Sequence, residues 1–501
     1  MTQPRRTLDD AMPGRQIYAR WVICGNLRLE TAMHLGGEAT ERVDMPIFRD
    51  PRDGAPLLPG TTLAGALRNA LADRLAGYGA EEPGAVSALF GGGRGVEDGN
   101  QSPTIVFDAL GRLPEGQGTE IRDGVAISAT SGTAEDHKKY DYEVIPAGTI
   151  FPVRLDLVVP EGDTEEGLVK SLAAAIDALT SGGTAFGAKR SRGLGRVSAT
   201  WAARRFDLTS AEGWVDWVTS DHETPLGAVE GRTSAIEVLQ AQCPAELGRL
   251  QPPADARRHV LVDLYLELVE DLLIRSPGSS PDAPDVSHLR SAGAPIVPGT
   301  SLAGVLRAHA LRVARLVRHR QDDGERWVDR LFGPRFQGQR PPPDFEFFAS
   351  RLRVGEAVIH GGRSRRQARV AIDRFTQGTI PTALFDEQVQ EGGRVRVRLE
   401  LRNPRPGELG LLLLVIKDLL SGDLPVGGAS AVGRGVVTGS ATLTFHDGAK
   451  TAPCSVSLAP HESPTGEAAA KMIDAAIRQF HEAPKLHEDA QRVVDDDGGV
   501  A

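Results

Sequence analysis

Apolar and polar residues alternate through ARWVICGNLRLETAMHL, from Ala19, and again through RHVLVDLYLELVEDLLI, from Arg258. A period of two belongs to a half-buried strand, so each run predicts a strand that leads into a loop. Beyond each loop the rhythm lengthens. After Pro59 and Gly60, the positions Leu63, Leu67, Ala70, Leu71 and Leu75 fall at helical spacing, as do Leu302, Leu306, Ala310, Val313 and Val317 after Pro298 and Gly299. Thr61 or Thr62 is placed to cap the first of these helices. Strands are predicted at Thr104 to Phe107 and Val153 to Val159, and a helix over Gly167 to Leu179 runs into a glycine-rich loop. Strand, helix, strands, helix, strand predicts an α+β class, built as two tandem ferredoxin-like or RRM-like domains.

The two rhythms are copies of one another. APLLPGTTLAGALRNAL begins at Ala55 and APIVPGTSLAGVLRAHAL at Ala294, 239 residues later. Leu89-Phe90-Gly91 returns as Leu331-Phe332-Gly333, and the segment from Arg122 returns as ARVAIDRFTQGTIPTALFDEQV from Ala368. GGTAFGAKRSRGLGRV, from Gly182, is answered by GGASAVGRGVV from Gly427, which reads as a loop shorter by several residues. A repeat of this period means duplication of a whole domain. The expected organisation is a first domain over 1–240, with its core at about 18–205, a second over 257–447, and a C-terminal part over 448–501. The last is expected to hold one helix and a disordered acidic tail. Pro252-Pro253 marks the junction, near residues 240 to 257.

Composition narrows the class. With 501 residues, 40% of them hydrophobic and 25% charged, the chain has enough apolar content for two cores. Cys24, Cys243 and Cys454 lie far apart without a CxxC pair, which argues against a disulfide framework or a zinc site and for a reducing cytoplasm. No segment approaches the ~20 apolar residues of a membrane span, and the N-terminus has no signal-like apolar stretch. A net charge of -10 speaks against bulk electrostatic attraction to nucleic acid, so any such binding has to come from local arginine clusters.

Taken together, VDMPIFRDPRDGAPLLPGTTLAGALR, the two LFG triplets, the YDYEVIPAGT and TIPTALFDEQV segments and the SRGLGRV loop resemble the RAMP (repeat-associated mysterious protein) superfamily. The likeness is to the group 7 backbone subunits of type III CRISPR effector complexes, and the fusion of two copies is similar to subtype III-D. The resemblance covers most of residues 20 to 205 and 258 to 445. It implies a subunit that stacks along a guide RNA, with each middle segment forming a thumb that wedges into the pairing of guide and target. It also implies cleavage of the target RNA by an aspartate in the loop before the PGTT-type helix. Asp44 matches that position, and Asp285 matches it in the second copy if two residues are deleted, with Asp282 as a competitor. A carboxylate there could hold a divalent metal, expected to be Mg²⁺, or orient a 2′-hydroxyl for attack. The metal ligands are otherwise open, with Asp44 and Asp285 as the candidates. Asp50 and Asp53 read as turn residues.

For RNA binding the candidates are the helix starts with Thr61, Thr62, Thr300 and Ser301, where free N–H groups suit a phosphate. Arg68 and Arg307 are added because Ala64 and Ala303 stand where the family often has lysine. The glycine loop contributes Lys189, Arg190, Arg192 and Arg196, and the second copy contributes Arg365, Arg366 and Arg434. Each has a plainer reading: solvated loop carboxylates, helix caps and solvated charge. His34 and His288 read as packing or surface residues. The partners expected by resemblance are guide RNA, complementary target RNA and other effector subunits. Two alternatives stay open: a non-catalytic RNA-binding scaffold, and a guide-processing ribonuclease, which would need an acid–base pair. A nucleotide-binding enzyme is disfavoured, because the glycine loop is neither GxxxxGK[ST] nor GxGxxG.

Overall fold

The computed structural model describes residues 17–38, 43–92, 101–128, 133–160, 165–180, 184–222, 234–277, 283–318, 321–335, 348–448, 454–460 and 467–483. Asp282 and the acidic stretch from Glu488 to Asp497 fall outside them. The first repeat runs β1 (Ile17–Leu29), β2 (Leu57–Leu58), α1 (Gly60–Ala76), α2 (Gly84–Phe90), β3 (Thr104–Val106), β4 (Ala109–Leu110), β5 (Glu120–Ile127), β6 (Ala134–Val144), β7 (Ile150–Pro160), α3 (Glu165–Thr180) and β8 (Val197–Asp207). Two short helices, α4 (Ala211–Thr219) and α5 (Ala235–Gln240), lead out of it. Next come β9 (Arg258–Leu268), β10 (Arg275–Pro277), β11 (Val286–His288), β12 (Arg290–Ser291), β13 (Ala294–Val297), α6 (Gly299–Arg318), α7 (Gln321–Phe332), β14 (Leu352–Val354), β15 (Ala357–His360), β16 (Arg363–Ile372), β17 (Thr379–Glu391), β18 (Arg394–Arg402), α8 (Glu408–Leu420) and β19 (Val437–Asp447). β20 (Cys454–Leu458) and α9 (Glu467–Glu482) close the chain's described part.

Each repeat is the expected ferredoxin-like unit. The sheet order is β3-β7-β1-β8 in the first, and β14-β18-β9-β19 is the same arrangement in the second, which β20 extends at one edge. The middle segments form antiparallel hairpins, β5–β6 and β16–β17, that lie outside these central sheets and correspond to the expected thumbs. Two separate hydrophobic cores follow, one per repeat, and α5 packs into the first while α9 packs into the second. Phe480 of α9 is fully buried edge-on against Trp327, with ring centroids 5.2 Å apart. Among the described residues no helix is long and apolar enough to cross a membrane.

The helix starts differ from the capping expectation. α1 begins at Gly60 with Pro59 as its N-cap and without a side-chain cap from Thr61 or Thr62. The Gly60 N–H instead donates to Asp108 Oδ1 at 2.6 Å, because the end of β3 runs against the helix tip. Gly60 is required there, since a Cβ would lie 2.3 Å from the Val106 carbonyl oxygen. The LFG triplets also find their reason: Arg68 donates to the Gly91 carbonyl and Arg307 to the Gly333 carbonyl, at 3.1 and 2.6 Å. Glu82 and Asp329 complete these clasps.

The repeats are joined by more than a linker. The first glycine loop, around Arg190–Arg192, packs on the tip of α6 and the end of β14 in the second repeat. A Cβ on Gly193 would lie 2.2 Å from the Glu356 nitrogen, and one on Gly299 would lie 2.2 Å from the Arg192 carbonyl oxygen. Beside it, Arg122 of β5 donates to Glu356 at 2.6 and 3.3 Å, with side-chain exposures of 2% and 3%. Burial pulls the Arg122 guanidinium down, and the Glu356 carboxylate overrides this so that it is held above its ordinary value. Glu120 accepts the Ala292 N–H at 2.7 Å, and Tyr78 donates to Glu400 at 2.8 Å.

The two glycine loops are equal in length, contrary to the expectation from sequence. Gly187, Gly193 and Gly195 have positive φ of 76°, 89° and 75°, and Gly427, Gly433 and Gly435 repeat these at 85°, 86° and 79°. Lys189 and Ala429 are both left-handed, each opening a short 3₁₀ turn. Gly427 corresponds to Gly187, so the two GG dipeptides are not counterparts.

Removing one partner of a buried ion pair leaves an uncompensated charge, so Glu356→Gln is expected to lower unfolding free energy by about 3 kcal/mol in urea denaturation. Gly433→Ala should cost about 1–2 kcal/mol from its left-handed backbone alone. Gly193→Ala should cost clearly more, because it also drives a methyl into the second repeat; equal losses in the two variants would show that the loop does not bear on the repeat interface.

Candidate functional site

The loop carrying Asp44 is laid along the base of the first thumb. Isolated bridges tie Met33 to Ile145 and Met45 to Tyr142, the second one parallel. Asp44 and Asp141 hold each other reciprocally: the Asp44 N–H donates to Asp141 Oδ1 at 2.7 Å, and the Asp141 N–H to Asp44 Oδ2 at 3.0 Å. The second repeat repeats the geometry. β11 pairs in parallel with β17 through Val286 and Glu387, and the Asp386 N–H donates to Asp285 Oδ2 at 2.9 Å. Asp285 therefore stands where Asp44 stands, each carboxylate accepting one N–H from the returning strand of its thumb.

Glu143 locks the first loop. Its Oε2 accepts the Ile47 N–H at 3.1 Å and its Oε1 accepts from Arg49 and the Thr119 hydroxyl, both at 2.5 Å. Burial pushes its carboxyl up, but these donors together hold it below the usual carboxylate range. Downstream of Asp44, Asp50 and Asp53 each accept a backbone N–H two residues on, from Arg52 and Ala55 at 2.7 and 2.8 Å, closing the turn expected of them.

The electrostatics of the two thumb bases differ. In the first, Tyr142 packs with Ala32, Val144 and Leu194, and burial pushes its phenol up. In the second, Glu387 takes the place of Tyr142 and Arg434 that of Leu194. Arg434 is 3% exposed and bonded to Glu387 at 2.7 Å and to Gln367 at 2.6 Å. The RNA-binding assignment of Arg434 is thereby corrected: its guanidinium is an internal counterion. Arg68 and Arg307 are likewise spent on the LFG clasps rather than on the helix tips.

The other candidates divide into three groups. Thr61 is exposed at the tip of α1, with Thr62 half-buried beside it, while Thr300 and Ser301 are half-buried at the tip of α6. The repeat interface brings the Arg192 carbonyl oxygen against Gly299 at that tip. Burial, then the neighbouring Arg307, pulls the Arg192 guanidinium down; burial, then Arg398, does the same to Arg196. Both face the second repeat. Arg190 is exposed on the same loop. Arg365 and Arg366 lie on β16, in the thumb itself rather than beside it, and pair with Asp271 and Asp386.

Lys189 is the cation of this loop that reaches the first thumb, where Leu194 also packs. Its Nζ lies 2.6 Å from the Tyr140 hydroxyl and 3.9 Å from the centre of the Tyr142 ring. Tyr140, Asp141, Tyr142 and Glu143, with Asp386 and Glu387, were not singled out from the sequence. Their signal was the parallel between KKYDYEV and TALFDEQV, in which an aspartate follows an aromatic residue at matching places.

Neither histidine supplies an acid–base pair. His34 is 1% exposed, with Nδ1 2.7 Å from the Glu143 carbonyl oxygen. His288 accepts the Ile274 N–H on Nδ1 at 3.2 Å and so donates from Nε2 to the Ile296 carbonyl at 3.0 Å. Among the described residues no group of three or more His, Cys, Asp or Glu side chains converges on a metal cage. In the first repeat the Asp44 and Asp141 carboxylates are of the kind that suits a hard cation of the Mg²⁺ type, whereas Asp386 beside Asp285 is already paired with Arg366.

A profile described as the RAMP superfamily matches the chain twice, over residues 26–198 and 265–438. Over 82 residues the chain is 32% identical to the CRISPR system Cms endoribonuclease Csm3 of Streptococcus thermophilus, an overlap of 15% of this chain and 37% of that protein. The chain thus spans little more than a third of the length of that relative.

The neutral, buried His288 gives the second loop a pH signature. Burial lowers its pKa from 6.5 to about 4, so below about pH 6.5 the unfolded chain takes up a proton that the folded chain refuses. Stability should fall by about 3 kcal/mol as pH drops from about 6.5 to about 4, and should be flat in this residue above that window. Urea titrations at several pH values should show a smaller slope in His288→Asn than in the parent chain.

Proposed function

The chain belongs to the RAMP superfamily, and from that premise we propose that it is a backbone subunit of a type III CRISPR ribonucleoprotein that binds guide RNA and cuts the paired target RNA. The observation that carries this reading is the twinned geometry at Asp44 and Asp285, two carboxylates bonded in the same way to the base of two thumbs. The acid and its backbone partner recur in both copies at the base of the thumb, where the resemblance puts the cleaving aspartate. The name of the Streptococcus thermophilus relative supports an endoribonuclease activity. Guide RNA, target RNA and other effector subunits are the proposed partners, and the cytoplasm the proposed compartment.

In this mechanism the thumb's backbone N–H orients one carboxylate oxygen of Asp44 and leaves the other to act on the RNA. That oxygen takes the proton of the target's 2′-hydroxyl; the 2′-oxygen–phosphorus bond forms, and the bond to the 5′-oxygen breaks as that oxygen gains a proton from solvent. A bound divalent cation, expected to be Mg²⁺, would be held by Asp44 and Asp141, or by Asp285 and Asp386, and supplies Lewis-acid stabilisation of the phosphoryl charge. Glu143 keeps the Asp44 loop in register by fixing Ile47 and Arg49.

One observation favours a second reading, in which only the first repeat cuts and the second is a scaffold. Arg366 donates twice to Asp386 Oδ2, at 3.0 and 2.6 Å, and so neutralises the carboxylate beside Asp285.

The test is product mapping with the guide-loaded ribonucleoprotein and end-labelled complementary RNA. Two active repeats give two cuts spaced by one thumb interval; Asp44→Ala should suppress one and Asp285→Ala the other, each by about 10²–10⁴-fold, with guide and target binding unchanged. Undiminished cutting by the Asp44→Ala/Asp285→Ala chain would end the catalytic assignment.

A further inference from the structure

The contact between the two repeats has a direction. The first repeat gives Tyr78, its thumb and its glycine loop, and the second receives them through Glu400, Glu356 and the tip of α6 at Gly299. Because the repeats are copies, the second carries the giving face once more and the first carries the receiving face. A second copy of the chain could add end to end only if these two remaining faces matched.

Strand register fixes which residues correspond. Leu155 lies opposite Ile23 as Leu399 lies opposite Val262, and Val106 pairs with Leu155 as Val354 pairs with Leu399. On the giving side, Gln367 therefore stands for Arg122, Arg365 for Glu120, and Val317, still inside α6, for Tyr78. Gln367 has nothing left to give, since its amide accepts from Arg434 at 2.6 Å and donates to Asp271 at 2.9 Å within its own repeat. On the receiving side, Asp156 stands for Glu400, but it is fully buried and held by Arg20 and Arg154. Asp108 stands for Glu356 and is taken by the Gly60 N–H. The three side-chain links that join the repeats therefore have no counterpart between two copies.

The receiving face of the first repeat is also covered. Tyr78 sits edge-on to His259 on the second repeat, with ring centroids 6.2 Å apart. Arg20 is the counterpart of His259, and Trp217 of α4 lies over its guanidinium at 4.3 Å and edge-on to Phe206 at 5.1 Å. The chain's own tryptophan thus fills the place of an incoming tyrosine. Phe107 stands where the second repeat has Gly355, with the Arg154 guanidinium 4.9 Å from its ring.

The glycine loop of the second repeat nevertheless keeps the shape of the docked one. Gly433 has φ of 86° against 89° at Gly193, yet a Cβ on it would meet nothing within 4 Å, whereas one on Gly193 would strike the second repeat. Val432, in the place of Arg192, is 63% exposed, and Ser430 and Ala431 beside it are exposed and uncharged. We propose that this loop docks on a RAMP-type repeat of a different chain, whose receiving tip is apolar and lacks an acid at the place of Glu356, and that copies of this chain do not stack on one another. An acid there would be buried against the loop without a cation to meet it. One copy is then carried per guide RNA. This rests on the proposed ribonucleoprotein and deepens it by naming the kind of neighbour.

The test uses the ribonucleoprotein purified with its guide RNA. Native mass spectrometry should find one copy of this chain per guide, and a p-benzoylphenylalanine placed at Val432 should cross-link to a helix tip of a different RAMP-type chain. Val432→Gln, neutral and at an exposed position, should leave the melting temperature and guide affinity unchanged and weaken retention of that neighbour about tenfold. Two or more copies per guide, or a cross-link from Val432 to Phe107 or α4 of a second copy, would overturn the proposal. So would a cross-link only to a chain without such a repeat, no cross-link at all, or full retention in Val432→Gln; each leaves the RNA-cutting reading intact. A chain that purifies with no guide RNA would remove both.

Discussion

Everything at the first site leans on a guanidinium and a carboxylate buried together between the two repeats. Arg122 and Glu356 are nearly free of water, a situation tolerable only while each satisfies the other. Arg122 faces Tyr142 across the thumb hairpin, and Tyr142 bridges Met45, the residue after Asp44. The same contact that welds the repeats thus sets the base of the thumb and, through it, the loop that holds the acid. Glu356 occupies the position in its repeat that Asp108 occupies in the first. Asp108 serves its own helix tip, whereas Glu356 is taken by the preceding repeat. Fusion has turned a local cap into an interface.

Around this shared scaffold the repeats have diverged in charge while keeping backbone geometry. The glycine loops superpose in their sequence of left-handed turns, yet Lys189, Arg190, Arg192 and Arg196 give way to Ala429, Ser430, Val432 and Val436. The apolar contact of Tyr142 with Leu194 becomes the ion pair of Glu387 with Arg434, a paired exchange that keeps each interior satisfied. Cations that look alike in a sequence consequently do different work: Arg434 balances a buried acid, Arg192 lies against the next repeat, and Lys189 alone of these reaches the first thumb.

Much of the fold was legible because it is periodic. The two-residue rhythm of β1 and β9, the helical rhythm after each Pro-Gly and the 239-residue recurrence all survive into the structure, since hydrophobic burial imposes them locally. The family resemblance singled out Asp44, and the recurrence, with two residues deleted, set Asp285 opposite it. It misled where one dipeptide stood for another: Gly427 answers Gly187 and not Gly182, because what repeats is a left-handed backbone and not the letters GG. Nor could recurrence explain why Arg68 and Arg307 are kept, since their partners, the Gly91 and Gly333 carbonyls, lie in separate helical segments.

By itself, then, the order of residues determined two α+β repeats, because burial periods and turn-forming glycines act over a few neighbours, while the thumbs and the acid-bearing loops were legible only through the resemblance to a family. Which charges meet was decided only by tertiary structure. Asp44 and Asp141 are 97 residues apart along the chain, and Arg122 and Glu356 are 234 apart. Whether an arginine faces solvent or an acid depends on what the fold sets opposite it, and a charge carries no mark in the sequence of the partner that will neutralise it.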